Sequence, residues 1–189
     1  MMAAHHRQET AVTIPLVPVA VALLLLWPAR PAGTQEPVIA LQRHAVYLEV
    51  GGNASRYSIN YERAFNARHR LRVGGAIWTD GESAGQITET ELNFPLMYNL
   101  LFQRGAHHLE LGAGVLVGAW DKLRDGDQSQ RATYWSATGT IGYRHQVPAN
   151  EWLFRIGFTP IYGFGDEADA YPRKGFATRF GVSIGRAFN

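Results

Sequence analysis

The sequence predicts an all-β fold, an eight-stranded antiparallel up-and-down barrel, on two observations. Apolar and polar residues alternate in eight separate segments, and side chains on a strand alternate between its two faces. Links of hairpin length join these segments, and no helical pattern follows the N-terminal region. An even number of antiparallel strands can close on itself and leave no unpaired edge.

The segment His107–Trp120 shows the alternation most clearly. Its odd positions from Leu109 to Ala119 are all apolar, whereas its even positions are polar or small apart from Leu116 and Trp120. A helix is excluded because each of its glycines would cost about 1 kcal/mol relative to alanine. A strand of about twelve residues exceeds the five or six that are typical of soluble sheets. About ten tilted residues cross the hydrocarbon core of a bilayer, so the barrel is expected to be transmembrane.

The other strands follow the same rule, with apolar residues set against Arg, Glu, Asn, Ser, Thr or Gly. In chain order the predicted strands are His44–Gly52, Arg56–Phe65, Leu71–Trp78, Thr88–Leu100, His107–Trp120, Thr133–His145, Glu151–Tyr162 and Phe176–Phe188. The links after the second, fourth and sixth strands are short, and those after the third, fifth and seventh are long. This alternation is typical of short periplasmic turns and long external loops, so both chain ends are expected in the periplasm. Only the link GGNAS, after the first strand, breaks the pattern.

Two prolines fall inside predicted strands. Pro95 and Pro160 each remove a ladder hydrogen bond, and prolines in sheets are confined to edges and bulges. Because a closed barrel has no edge, we interpret both as bulges that adjust its curvature.

Residues 1–33 are expected to be a signal peptide and residues 34–189 the mature barrel domain. A short polar start is followed by the apolar stretch Ala11–Trp27 and then by small residues where cleavage is plausible. The alternative is a single membrane-anchoring helix, although two prolines interrupt the apolar stretch.

The composition excludes several classes of function. The chain has no cysteine among its 189 residues, which excludes cysteine-based metal sites, disulfides and thiol catalysis. Its formal charge of +2 is small and spread along the chain, which does not indicate nucleic-acid binding. No cofactor and no metal site are expected.

Alternation alone does not decide which face of the barrel points inward. A soluble ligand carrier would place the apolar face inside. Here the apolar face carries bulky residues with aromatic side chains near the strand ends, as at a membrane interface. The other face is mostly Gly, Ser, Thr and Asn, which fit a narrow lumen and differ from the lysine- and glutamate-rich face expected in water. These features favour the membrane barrel.

The chain also resembles the small outer-membrane β-barrel proteins, and in particular a group with no assigned activity. The matching stretches are YLEVGG at 47–52, YSINYERAF at 57–65, FPLMYNLL at 94–101, HHLELGAG at 107–114, FRIGFTP at 154–160 and GVSIGRAF at 181–188. The resemblance implies location in the outer membrane and a final aromatic strand that the outer-membrane assembly machinery recognises. Phe188 is the candidate for that assembly signal, although Arg186 stands where an aromatic residue is usual.

Charged residues on the small, polar face predict a network inside the lumen. Its members are expected to be Glu49, Arg56, Glu62, Arg72, Glu91, Glu110, Arg144, Arg155 and Arg179. Neighbouring strands suggest the pairs Glu62–Arg72 and Glu110–Arg144, and closure of the barrel suggests Arg179–Glu49. Buried charges are costly unless they are paired, which favours an occluded lumen. The alternative is a narrow ion path, since charged rings also select ions.

An enzyme is the less favoured interpretation. Small outer-membrane barrels include lipid A-modifying enzymes, but His69, His107, His108 and His145 are expected at the periplasmic end, away from outer-leaflet lipid A. No Gly-x-Ser-x-Gly motif is present. We interpret these histidines as ordinary polar residues and assign no catalytic residue.

The loops opposite the termini are expected to face the cell exterior. Their basic residues are candidates for contact with lipopolysaccharide phosphates: Lys122, Arg124, Arg131, Arg173 and Lys174. The acidic spacing at 121–127 lacks the remaining positions of an EF-hand and is a weak calcium motif. The sequence therefore predicts a monomeric outer-membrane barrel with a structural or surface-interaction role.

Overall fold

The computed structural model describes residues 42–82, 87–124, 130–147, 151–164 and 175–189. They form one closed barrel of eight strands in chain order. The strands are β1 His44–Gly51, β2 Tyr57–Ala64, β3 His69–Glu82, β4 Ile87–Arg104, β5 His107–Arg124, β6 Gln130–Gln146, β7 Trp152–Gly163 and β8 Gly175–Phe188. The predicted fold class is confirmed. The predicted signal peptide lies outside the described residues.

Every strand pairs antiparallel with its sequence neighbour, and β1 closes the barrel against β8. His44 therefore lies opposite both Arg63 and Phe188, at the end that holds both described termini and the short turns. We call this the terminal end and the opposite one the loop end. The strands β4 and β5, with 18 residues each, are longer than predicted at the loop end. About ten tilted residues suffice to cross a bilayer, so these strands extend beyond one.

The two faces of the wall have opposite character. Large apolar side chains such as Leu48, Ile59 and Phe180 point outward and are exposed. Asn60, Glu62 and other polar residues of the alternate positions point inward and are buried. This inverts a water-soluble protein, where exposed apolar patches are small. Within the described residues, no helix has the length and apolar character needed to cross a bilayer.

The connection between β1 and β2 folds into the barrel. Gly51 and Gly52 adopt φ angles of 75° and 73°, and the single 3-10 turn Gly52–Ala54 is buried. A Cβ atom on Gly52 would lie 2.6 Å from the carboxylate carbon of Glu49, so only glycine fits there. Because this link turns inward, it differs from the long links that follow β3, β5 and β7.

Neither proline forms a bulge, which corrects the interpretation of Pro95 and Pro160. The β3–β4 ladder is interrupted beside Pro95 and the β6–β7 ladder beside Pro160. The register continues unchanged on both sides of each gap, whereas a bulge would add a residue to one strand. Each proline removes ladder hydrogen bonds without shifting the alignment of the strands.

Candidate functional site

The candidate site is the set of charged side chains inside the barrel. Strand alternation directs them inward, and the four arginines Arg70, Arg72, Arg144 and Arg155 are all buried. Buried arginine is rare unless it is paired, so its partners define the site. The partners form two clusters.

The first cluster is centred on Glu62 of β2. Its Oε1 atom lies 3.0 Å from Nη1 of Arg70 and 2.5 Å from Nη1 of Arg144, and all three side chains are fully buried. Arg144 also donates from Nε to the side-chain oxygen of Gln146 at 2.9 Å. One carboxylate therefore compensates two guanidinium groups, and we call these four residues the Glu62 cluster.

The second cluster contains Glu49, Glu110, Arg72, Arg155 and Tyr47. Arg155 donates from Nε and Nη2 to the two oxygens of Glu110, at 2.9 and 2.6 Å, which is the bidentate geometry that guanidinium and carboxylate groups favour. Oε1 of Glu49 lies 3.5 Å from Nη1 of Arg72 and 3.6 Å from Nη1 of Arg155. The Arg155 guanidinium lies 4.8 Å from the centroid of the Tyr47 ring. We call these residues the Glu49–Glu110 cluster.

The buried turn Gly52–Ala54 adds a neutral residue to this cluster. The side-chain oxygen of Asn53 accepts a hydrogen bond from Arg72. Its Nδ2 atom donates to Oγ1 of Thr138 at 2.7 Å and to the carbonyl of Gly139 at 3.1 Å, both on β6. Asn53 thus links the turn to a strand that is not its neighbour. The sequence analysis missed this residue, and the short link GGNAS was its only signal.

The predicted pairings inside the lumen are wrong in their partners. Glu62 does lie opposite Arg72 in the β2–β3 register, but the carboxylate partner of Arg72 is Glu49. Glu110 lies opposite a glycine of β6 and pairs with Arg155, while Arg144 reaches Glu62. Long side chains in a narrow barrel contact strands across the lumen as readily as adjacent strands, so register alone does not determine ion pairs.

Two further placements differ from the prediction. Glu49 lies opposite Ser183 in the β1–β8 register rather than opposite Arg179, which is half-buried on β8. Arg56 does not enter the lumen, because it is exposed just before β2 and pairs with Asp80 of β3. The lumen instead contains Arg70, which was not predicted as a member.

Glu91 is the remaining predicted member and lies nearer the loop end. It is half-buried and accepts a hydrogen bond from Nδ2 of Asn93 at 3.0 Å. The hydroxyl of Tyr134 also donates to it, and lies 2.6 Å from the side-chain oxygen of Asn93. This group contains polar and aromatic side chains rather than an arginine pair.

Little space remains between these groups. A cavity of about 10 Å³ lies among Glu49, Glu110, Thr140, Arg155 and Ser183. A space of roughly 10–15 Å³ accommodates a single water molecule. The lining is polar, so such a water would find hydrogen-bond partners.

A second arrangement surrounds the terminal end of the outer wall. His44, His69 and His107 each begin an odd-numbered strand, and Nδ1 of each hydrogen-bonds a tyrosine hydroxyl on the next strand. The three pairs, which we call the His–Tyr girdle, are His44–Tyr61, His69–Tyr98 and His107–Tyr143. At the fourth hairpin the Arg186 guanidinium lies 5.6 Å from the centroid of the Trp152 ring. Such amphipathic rings are typical of a membrane–water interface.

The predicted assembly residue also lies at this end. Phe188 is exposed on the outer face of β8, and its ring stacks on His44 with the centroids 5.5 Å apart. Arg186, at the position where an aromatic residue is usual, pairs with Glu151.

The histidines considered for catalysis occupy two environments. His107 lies in the girdle with its ring 5.2 Å from that of His145, and His108 is buried in the lumen opposite Arg144. Among the described residues, no group of three or more His, Asp or Glu side chains is arranged to hold a metal ion.

The candidate contacts at the loop end are only partly visible. Arg131 is exposed and pairs with Asp121 at 3.3 Å. Lys122 and Arg124 lie at the loop end of β5, but their side chains are outside the described part of the chain, as are Arg173 and Lys174 entirely.

The closed barrel and its inverted faces define the class: this is the fold of the small eight-stranded outer-membrane β-barrels. The chain is similar to the N-terminal β-barrel domain of Pseudomonas aeruginosa OprF, with 14% identity and a TM-score of 0.52, over 78% of this chain and 98% of that one. It also matches Ail, the attachment invasion locus protein of Yersinia pestis, with 15% identity and a TM-score of 0.48, over 77% and 93% of the chains. No family model and no curated protein matches the chain. The similarity to OprF concerns the fold alone.

Proposed function

We propose that this chain is an integral outer-membrane β-barrel, exported by residues 1–33, with a structural or surface-interaction role and no catalysis. The observation that carries the proposal is the inversion of the two faces, with large apolar side chains outside and paired charges inside. A lipid environment satisfies the outer face, and ladder closure satisfies the backbone. In this setting Phe188 would serve assembly of the barrel, and the chain would work as a monomer.

The first experiment is heat-modifiability of the protein in an outer-membrane fraction. Unboiled protein is expected to migrate on a detergent gel as a compact band distinct from the boiled form. Recovery in the soluble periplasmic fraction without a band shift would contradict the proposal, because the apolar face would then have to line a ligand pocket.

The second part of the proposal is that the lumen is occluded. The Glu62 cluster and the Glu49–Glu110 cluster occupy the lumen, and the buried turn Gly52–Ala54 lies on the loop side of β1 and β2. Eight strands enclose little more than side-chain space. These observations support a closed barrel over a diffusion pore.

Planar-bilayer recording distinguishes occlusion from a narrow ion path. The wild-type protein is expected to give no discrete conductance steps, and neither are Arg131→Ala molecules, which serve as a control at the loop end. Steps that change in size on Arg144→Ala or Glu110→Ala would contradict occlusion and support the channel.

The loop end is proposed to face the cell exterior and to contact lipopolysaccharide phosphates. The chemistry rests on Lys122, Arg124, Arg131, Arg173 and Lys174, of which Arg131 is also engaged by Asp121. Protease added to intact cells is expected to cut within residues 121–131 or 163–175. Protection of both segments, with cutting only after lysis, would reverse the orientation.

A further inference from the structure

An unpaired arginine lies on the outer wall at the terminal end. Arg63 belongs to the outward face of β2, and its side chain is exposed. It stands opposite His44 on β1 and Leu71 on β3. Tyr61 and Phe65 flank it on the same face of β2, and both are exposed. Arg63 is thus a cation at the edge of an apolar and aromatic surface.

The other outward arginines at this end differ from Arg63 in having partners. Arg186 forms an ion pair with Glu151, and Arg104 also makes an interaction within the protein. In the part of the chain that the structure describes, the Arg63 side chain has neither an ion pair nor a hydrogen bond. The acidic residue nearest in sequence, Glu62, points into the lumen and is fully buried. The Arg63 guanidinium therefore remains available to an anion from outside the protein.

Two more arginines strengthen the positive charge at the same place. The carbonyl of Arg43 accepts a hydrogen bond from the backbone of Ala64, and that of Arg68 accepts one from Leu101. Arg43 therefore lies beside the end of β2, and Arg68 lies in the turn between β2 and β3. Both side chains are exposed. Together with Arg63 they form a cluster, which we call the β2 arginine cluster.

The wall beside this cluster is suited to hydrocarbon. Val46, Ile59, Leu71 and Val73 are large, apolar and exposed on the outer faces of β1, β2 and β3. The His44–Tyr61 pair, whose Nδ1 and hydroxyl atoms are 2.7 Å apart, separates this surface from the charged rim. Tyrosine at that position is typical of the headgroup level, and arginine extends its charge toward it. A ligand with an anionic head and apolar chains matches both parts.

We propose that the β2 arginine cluster binds the phosphate of an anionic phospholipid, with Arg63 as the principal contact and His44 beside it. The acyl chains then lie along the outer faces of β1, β2 and β3. The inference rests on the proposed membrane barrel and adds a lipid site in the leaflet at the terminal end. A phosphodiester accepts hydrogen bonds from guanidinium in the same manner as a carboxylate.

Native mass spectrometry of the purified barrel in detergent tests the site. Phosphatidylglycerol and phosphatidylcholine of identical acyl chains are added at equal concentrations, and the fractions of protein carrying each lipid are compared. The wild type is expected to retain phosphatidylglycerol preferentially. Arg63→Gln is expected to weaken that binding about fivefold, because one basic residue at a membrane surface contributes on the order of 1 kcal/mol. Arg63→Lys is expected to keep most of the preference.

Two controls make the result specific. Arg131→Gln removes an exposed arginine at the loop end, and Arg186→Gln removes one at the terminal rim that is already paired. Both are expected to bind phosphatidylglycerol nearly as the wild type does. If Arg63→Gln does not fold, Arg68→Gln replaces it, with a smaller loss expected.

Equal retention of the two lipids by the wild type would overturn the proposal, and so would equal losses in Arg63→Gln and Arg131→Gln. Each sample is first checked for the compact band of unboiled protein. A wild type that lacks this band refutes the membrane barrel itself, whereas a compact band without lipid preference refutes only the lipid site.

Discussion

The two faces of strand β2 show how the barrel divides its chemistry. Tyr57 and Ile59 point outward and are exposed, whereas Ser58, Asn60 and Glu62 point inward and are buried. Outside, each apolar side chain meets the surroundings independently of its neighbours. Inside, polar groups can be satisfied only by one another, so their contributions are coupled. Substitutions on the two faces are therefore expected to differ in size and in their dependence on depth.

The largest effect is expected from Glu62→Gln. The substitution preserves the shape of the side chain but leaves Arg70 and Arg144 buried without their shared carboxylate. Removing one member of a buried ion pair costs about 3–5 kcal/mol. Urea unfolding of the barrel in lipid vesicles measures this loss. Glu151→Gln, which breaks an exposed pair with Arg186, is the matched control and is expected to cost about 1 kcal/mol or less. Equal losses would mean that the inner face is no more coupled than the rim.

The next effect is expected from Val115→Arg on the outer face of β5. Val115 lies in the middle of the apolar stretch that runs from Leu109 to Ala119, and it is exposed. Arginine near the bilayer midplane costs a transmembrane barrel about 2–4 kcal/mol.

The control for this substitution is Leu109→Arg, because Leu109 lies opposite Tyr143 of the girdle. Near the interface the cost falls to about 0–1 kcal/mol. The same unfolding experiment compares the two variants. Similar costs at both depths would indicate that the outer face does not meet hydrocarbon.

The strands could be predicted from the sequence because alternation is a local property. His107–Trp120 carries its pattern in consecutive residues, and the structure extends that strand only to Arg124. The segments that predict the barrel also predict which residues point inward, including Glu62 and Arg155. Strand lengths at the loop end were underestimated because polar residues there no longer alternate with apolar ones.

The partners of the buried charges could not be predicted in the same way. The Arg144–Glu62 pair joins β6 to β2, and the Asn53–Thr138 hydrogen bond joins the first link to β6. Such contacts depend on the diameter of the barrel and on side-chain reach, and neither is encoded in a local pattern. The inward turn of GGNAS was visible only as a link that was too short for its position.

Asn53→Ala probes that inward turn and is expected to have a smaller effect than the first two substitutions. It removes the acceptor for Arg72 and the donor to Thr138 and Gly139. A buried polar group left unsatisfied costs about 1–3 kcal/mol. Asn66→Ala, in an exposed turn where water can replace the lost bonds, is the control and is expected to cost less. If the two variants unfold at the same urea concentration, the turn does not contribute to the network.

The smallest effect is expected in the His–Tyr girdle, where the side chains are polar but exposed. Tyr143→Phe removes the hydroxyl that lies 2.5 Å from Nδ1 of His107 and leaves the ring in place. A hydrogen bond of this kind contributes about 0.5–1 kcal/mol to the free energy of unfolding. Tyr162→Phe is the matched control, since the Tyr162 ring at the loop end packs on Phe164 without a histidine partner. The three girdle pairs lie on separate hairpins, so the losses in a triple variant are expected to add. A triple loss well above that sum would indicate that the girdle is coupled like the lumen, and the contrast between the two faces would then be one of polarity alone.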